Sequence, residues 1–112
     1  RRVGEWRRGR IGFSGLVVSD DLEMGAVAAL GAPGERAVRA LAAGCDLALF
    51  CRGLDAPRRA RDEVAAALES GRLDAAALRS SVARQATLLA RLAAAPPAPR
   101  WDDALAALGE AL

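Results

Sequence analysis

The sequence Leu16-Val17-Val18-Ser19-Asp20-Asp21 decides how the chain folds. Its apolar, partly β-branched beginning is typical of a parallel β-strand that is buried on both faces. The run ends in two adjacent carboxylates, at the carboxyl end of the predicted strand. Because α/β folds place their active sites at that end, the aspartate pair is the first candidate for chemistry. The alternative for at least one member is that it caps the following helix or turn.

A second strand is predicted about one βαβ unit further along the chain. Residues 45–51 read Cys-Asp-Leu-Ala-Leu-Phe-Cys and are apolar except for Asp46. Between the two strands, Pro33-Gly34-Glu35 predicts the start of a helix and Gly44 its end, whereas residues 22–31 fit a loop or a short helix. The fold class is therefore α/β.

The remainder of the chain is predicted to be helical. One helix ends near Gly71, and Asp74 is placed to cap a long amphipathic helix that runs to Leu92. A Pro-rich stretch then breaks the pattern, and a last short helix begins at Trp101. We divide the chain into residues 1–95 and a tail of residues 96–112.

Composition indicates one soluble globular unit and excludes several chemistries. The chain is 53% hydrophobic and 27% charged, with a net charge of +2 and no His. Without His, the chain cannot by itself build a Ser-His-Asp or Cys-His site or a His-containing zinc site. We expect no metal and no cofactor. If residues 45–51 form a strand, Cys45 and Cys51 lie about 20 Å apart, too far for a disulfide, and are two small buried thiols.

Membrane and nucleic-acid partners are not predicted. No apolar run reaches the roughly 18 residues of a membrane span, and no window resembles a secretory signal. We expect a cytoplasmic location. Arg residues cluster near the start of the chain and at 58–61, but acidic residues are spread throughout, which favours a solvated charged face over a nucleic-acid surface.

Two buried parallel strands cannot form a stable sheet alone, because their edges and apolar faces need partners. We expect this chain to be the C-terminal part of a larger α/β protein, and the isolated chain not to melt in a sharp two-state transition.

Two ordered blocks resemble a known enzyme family. Residues 12–24, which read Gly-Phe-Ser-Gly-Leu-Val-Val-Ser-Asp-Asp-Leu-Glu-Met, resemble the signature of bacterial β-N-acetylhexosaminidases of glycoside hydrolase family 3. Residues 34–47 are similar to the next block of that family, and the resemblance covers roughly residues 5–95. Ser14 departs from the family pattern, in which this position is often Asp.

The resemblance implies a (β/α)8 barrel, of which this chain would supply the last two βα units and the C-terminal helices. It implies that Asp20 is the catalytic nucleophile of a retaining glycosidase. Asp21 and Met24 belong to the same motif, and we assign them to substrate binding, with Asp21 also orienting Asp20 or capping the loop and Met24 packing beneath the pocket.

The resemblance also implies a substrate and a missing partner group. The substrate would be a terminal N-acetyl-β-glucosaminide, as found in the cell-wall muropeptides of peptidoglycan recycling. Family members use a His, paired with an Asp, on a mobile loop as the proton donor. Because this chain has no His, the donor and most sugar-binding groups must lie in the missing rest of the barrel, and the isolated chain is expected to be inactive.

Two other functions are alternatives to a glycosidase. A phospho-acceptor receiver domain also places paired acids at strand ends, but it requires a Lys and this chain has none. A non-catalytic α/β interaction module is the remaining alternative, in which the amphipathic helix of residues 74–92 packs against a partner chain.

Overall fold

The computed structural model describes residues 5–95 together with residues 100, 102 and 106. The tail predicted from residue 96 onwards otherwise lies outside the described residues. The elements, in chain order, are a π-helical turn (Glu5–Arg10), β1 (Val18–Asp21), a 3-10 helix (Gly25–Leu30), α1 (Pro33–Ala42), β2 (Leu47–Leu49), α2 (Asp55–Glu69) and α3 (Ala75–Ala93).

The two strands are parallel neighbours and α1 connects them, which confirms the predicted βαβ unit. Their limits differ from the prediction. The first strand was predicted over residues 16–19, whereas β1 spans Val18–Asp21 and includes both aspartates. The pairing of Asp21 with Leu49 explains the shift, since strand limits follow the backbone partner and not only the apolar run.

The predicted helix limits are confirmed by local geometry. Pro33 is the first residue of α1, and Gly44 follows the helix with a φ of +104°, a conformation that suits glycine. Asp74 caps α3, because its side chain accepts a hydrogen bond from the Ala76 amide at 2.8 Å. α2 ends at Glu69, close to the predicted position.

The core lies between the sheet and the helices. One buried cluster joins Leu22 of the turn after β1 to Ala37 of α1 and Ala60 of α2, and Ala48 and Phe50 pack against it. A second cluster is formed by Val38, Ala67 and Leu73. Gly34 allows α1 and α2 to approach closely, because a Cβ built there would lie 2.6 Å from the Cβ of Glu63.

The opposite face of the sheet is open. Val18, Leu47 and Leu49 are 50%, 37% and 42% exposed. On α3, Leu89 and Leu92 are more than 60% exposed. Exposed apolar side chains gathered on one face of a sheet form a surface that other groups can cover.

The prediction of two small buried thiols is wrong for Cys51. Cys45 is half-buried, whereas Cys51 is exposed, and no disulfide joins them. The reason is that β2 ends at Leu49, so that Cys51 lies beyond the strand at its carboxyl end.

None of the described helices is long and apolar enough to cross a lipid bilayer.

Candidate functional site

Asp20 presents an exposed carboxylate at the carboxyl end of β1. Its Oδ1 accepts a hydrogen bond from the Asp21 amide at 2.8 Å. Its backbone carbonyl accepts one from the Ser19 hydroxyl, also at 2.8 Å. Within the described part of the chain, Oδ2 has no hydrogen-bond donor. One carboxylate oxygen is therefore held in place while the other faces solvent, as an attacking nucleophile requires.

The strand is irregular where Asp20 sits. Val18 pairs with Leu47 and Asp21 pairs with Leu49, so Ser19 and Asp20 together lie opposite one residue, Ala48. Two residues facing one is the definition of a β-bulge, a feature that re-aims a side chain and is enriched near active sites.

Asp21 is half-buried and ties the end of β1 to the end of β2. Its Oδ1 accepts hydrogen bonds from the Glu23 amide at 3.0 Å and from the Cys51 amide at 3.2 Å. The bond from the Glu23 amide caps the turn that follows β1, as the sequence predicted for at least one of the two aspartates. Met24 is half-buried in the same turn, and its amide donates to the Asp21 carbonyl at 3.2 Å. No described contact links the Met24 side chain to Asp20.

Asp20, Asp21 and Glu23, at the carboxyl ends of the two strands, form what we call the acidic rim, and Glu23 was not singled out from the sequence. Its Oε2 accepts a hydrogen bond from the Arg52 amide at 2.7 Å, so Glu23, like Asp21, links the end of β1 to the segment after β2. No sequence signal marked it, because a glutamate in a turn is usually a solvated residue. Arg36 of α1 donates a hydrogen bond to the Leu22 carbonyl and so connects α1 to the turn that contains Glu23.

These carboxylates alter the neighbouring thiol. Desolvation raises the pKa of Cys51, and the charge of Asp21 and its hydrogen bond to the thiol raise the pKa further, followed by the charges of Glu23 and Asp20. The rim is thus electronegative, a field that disfavours any further anion. Among the described residues, no group of three or more Cys, Asp or Glu side chains is arranged to hold a metal ion.

A second aspartate, at the other end of the sheet, has a different environment. Asp46 precedes β2 and is 3% exposed. Arg8 and Arg84 form ion pairs with it, and Ser81 and the Val17 amide donate hydrogen bonds to it. Burial raises the pKa of Asp46, but the hydrogen bonds from Arg84, Ser81 and Val17 outweigh burial, so the pKa lies below its usual value. The lone charge in an apolar run was the only sequence signal of this cluster.

Asp20 does not line either of two cavities in the described part of the structure. One of about 320 Å³ lies between the end of α1 and the start of α3, where Arg8, Arg72 and Arg84 are among its lining residues. Another is lined by residues that include Gly15, Thr87 and Arg91. Asp20 is therefore an exposed carboxylate that lies outside both of these cavities.

Comparison with known proteins identifies relatives over most of the chain. The model of the glycosyl hydrolase family 3 N-terminal domain matches residues 4–88. The beta-hexosaminidase of Nitrosospira multiformis is 51% identical over 49 residues, which cover 44% of this chain and 14% of that protein. The beta-hexosaminidase of Vibrio cholerae serotype O1 is 49% identical over 49 residues, covering 44% and 15%.

A solved structure agrees with these sequences. The glycoside hydrolase family 3 beta-N-acetylglucosaminidase from Paenibacillus sp. str. FPU-7 superposes with a TM-score of 0.73 and 39% sequence identity, over 83% of this chain and 18% of that chain. In each case the aligned region is a small share of the relative, since the chain spans 14–15% of the length of the two beta-hexosaminidases.

Proposed function

The chain belongs to glycosyl hydrolase family 3, and on that premise we propose that it supplies the nucleophile of a retaining β-N-acetylhexosaminidase. The observation that carries the proposal is the exposed Asp20 carboxylate at the carboxyl end of β1, with Oδ1 held by the Asp21 amide. The names of the beta-hexosaminidase relatives support the substrate class.

In the proposed reaction, Asp20 Oδ2 attacks the anomeric carbon of a terminal N-acetyl-β-glucosaminide. The bond from that carbon to the leaving-group oxygen breaks as the oxygen takes a proton from a general acid. The covalent glycosyl-enzyme is then hydrolysed by water, which gives overall retention of configuration. Retaining enzymes hold their two catalytic groups about 5–5.5 Å apart, so the acid must approach the open side of Asp20.

The general acid is a residue outside these 112. The family resemblance implies a His for this role, and the chain contains none. Since acid–base catalysis typically contributes about 10²–10⁴-fold, the isolated chain is expected to turn over no substrate above background.

The open sheet face supports a barrel as the context of the site. Val18, Leu47 and Leu49 are apolar and exposed on the face opposite the helices, as side chains that fill a barrel interior would be when other strands are absent. We place β1 and β2 as the last two strands of a (β/α)8 barrel, with Asp20 on its rim.

Finer assignments follow from the same proposal. Met24 contributes to the floor of the sugar site, because it lies in the turn that follows β1, where its amide donates to the Asp21 carbonyl. Asp21, the last residue of β1, serves the sugar site by orienting Asp20 through its amide. The natural substrate is a cell-wall muropeptide bearing N-acetylglucosamine, and the enzyme is cytoplasmic. No nucleic acid, membrane or cofactor takes part.

The decisive experiment is Asp20→Asn in the full-length enzyme, assayed with 4-nitrophenyl N-acetyl-β-glucosaminide. Loss of the nucleophile should lower kcat by about 10³-fold or more. Asp62→Asn is the control, because Asp62 is an exposed carboxylate on α2. A fluorinated N-acetylglucosaminyl substrate that forms the glycosyl-enzyme faster than it hydrolyses should label the peptide that contains Asp20. Unchanged turnover in Asp20→Asn, or a label on another carboxylate, would refute the assignment.

The alternative of an interaction module rests on the exposed apolar residues of α3, among them Val82 and Leu89. A catalytic role predicts that Asp20→Asn removes activity and that substitutions on α3 act through stability. An interaction module predicts instead that Leu89→Ser abolishes partner binding. Size exclusion at two concentrations would then show association through α3.

A further inference from the structure

We propose that Ser19 and Asp21 are positioning residues that hold the β-bulge of β1 and thereby fix the direction of the Asp20 carboxylate. The inference rests on the proposed function, since it concerns how the nucleophile is aimed. It assigns to the two neighbours of Asp20 a role carried by their hydrogen bonds to β2 and to the segment after β2, and not by contact with the sugar.

The bulge needs support because it interrupts the regular pairing of a short sheet. Between the Val18–Leu47 and Asp21–Leu49 pairs, β1 contains one residue more than β2. An extra residue leaves ladder groups unpaired and bends the strand. With only three residues in β2, backbone pairing alone offers little to hold that bend in one conformation.

Ser19 supplies one support on the amino side of Asp20. Its Oγ accepts a hydrogen bond from the Leu49 amide at 2.9 Å and donates one to the Asp20 carbonyl at 2.8 Å. A hydroxyl both accepts and donates through one atom. The side chain of Ser19 therefore connects β2 directly to the peptide group of the nucleophile.

Asp21 supplies the other support on the carboxyl side. Its Oδ1 joins the amides of Glu23 and Cys51, so the carboxylate fixes the turn after β1 to the segment after β2. The Asp21 amide in turn donates to Asp20 Oδ1 at 2.8 Å. Fixing the Asp21 backbone thus fixes the donor that orients the nucleophile.

Loss of either support should misdirect Asp20 without removing it. A displacement of about 1 Å can lower the rate about 100-fold. We expect Ser19→Ala and Asp21→Ala to reduce kcat by about 10- to 100-fold, with KM changed by less than about 3-fold. A lower kcat with a nearly unchanged KM identifies a positioning residue, because loss of a sugar-binding residue would raise KM.

Conservative variants separate hydrogen bonding from charge. Ser19→Thr keeps the hydroxyl, and Asp21→Asn keeps a carbonyl oxygen that can accept from both amides. Both should retain at least about a third of the wild-type kcat. If Asp21 acted through its charge on Asp20 or on the substrate, Asp21→Asn would be as impaired as Asp21→Ala.

The experiment measures kcat and KM for these four variants in the full-length enzyme, beside Asp20→Asn and Ser80→Ala. Ser80 is a matched control, because its hydroxyl donates to the Ala76 carbonyl within α3. Labelling of Asp20 by the fluorinated substrate counts the active sites, so that loss through misfolding is removed from kcat.

Two outcomes would overturn the inference while leaving the proposed function standing. The first is an inactive Asp20→Asn beside a Ser19→Ala that has wild-type kcat per active site. The second is an Asp21→Asn as impaired as Asp21→Ala. If Asp20→Asn itself were fully active, the proposed function would fail, and the inference with it.

Discussion

Asp46 Oδ1 and Arg84 Nη2 lie 2.6 Å apart, and this ion pair fastens α3 to the amino end of β2. The side chain of Asp46 is fully buried, whereas that of Arg84 is 27% exposed. The same carboxylate accepts from the Val17 amide, just before β1, at 2.9 Å. At the amino end of the sheet, the buried Asp46 joins β2, α3 and the segment before β1. At the carboxyl end, the exposed Asp20 is the residue that we assign to catalysis.

Substitution of Asp46 should destabilise the protein strongly. Asp46→Ala leaves Arg8 and Arg84 without their carboxylate and the Val17 amide without its acceptor. Removing one member of a buried pair typically costs 3–5 kcal/mol, and we expect about 3 kcal/mol because both arginines reach solvent. Urea unfolding measures the change, and Asp62→Ala, which breaks an exposed pair with Arg61, should change stability by less than about 1 kcal/mol.

Acid should weaken the fold through the same carboxyl group. Because the pKa of Asp46 is lower in the folded than in the unfolded state, its contribution is fully present above the ordinary value of about 3.9. The contribution is lost as pH falls from there through the lower pKa of the folded state. The stability difference between wild type and Asp46→Asn should therefore shrink as pH falls below about 4. A difference that stays constant down to pH 2 would contradict the expectation.

Gly34 should tolerate no larger residue. In Gly34→Ala the new Cβ would lie 2.6 Å from Glu63 Cβ and 2.9 Å from Glu63 Cγ. Glu63 Cβ is fixed to the backbone of α2, so the helices must separate, at a cost of about 1–3 kcal/mol that exceeds the gain in helix propensity. Gly25→Ala is the control, since nothing lies within 4 Å of its added Cβ. Equal thermal midpoints for the two variants would show that α1 and α2 can separate at this contact with little loss of stability.

The thiol of Cys51 should react slowly at neutral pH although it is exposed. Desolvation and the nearby Asp21 raise its pKa, so the alkylation rate should reach half its maximum above about pH 8.5. Asp21→Asn removes the neighbouring charge and should move that midpoint to lower pH, whereas Asp62→Asn should not. Alkylation by iodoacetamide, followed by mass spectrometry of the peptide containing Cys51, measures both. A midpoint below pH 8.5 in the wild type would be inconsistent with the acidic rim.

The position of the aspartate pair at the end of a strand was predictable because the motif is local. Asp20, Asp21 and Met24 lie within five consecutive residues, and the apolar run before them predicts a strand that ends at an active-site edge. The partners of Asp21 could be predicted only in part. Its bond to the Glu23 amide is two residues away, whereas its bond to the Cys51 amide crosses 30 residues of chain.

By itself, the sequence determined the βαβ unit and the limits of its helices, through Pro33, Gly44 and Asp74. These depend on interactions between residues no more than a few positions apart, which any window of the chain contains. The tertiary structure decided the strand register, the bulge at Ser19 and Asp20, and the burial of Asp46 between arginines that each lie 38 positions away. Such contacts form only when packed helices and strands bring distant residues together. The free energy of these contacts depends on burial, which cannot be read from a short stretch of sequence.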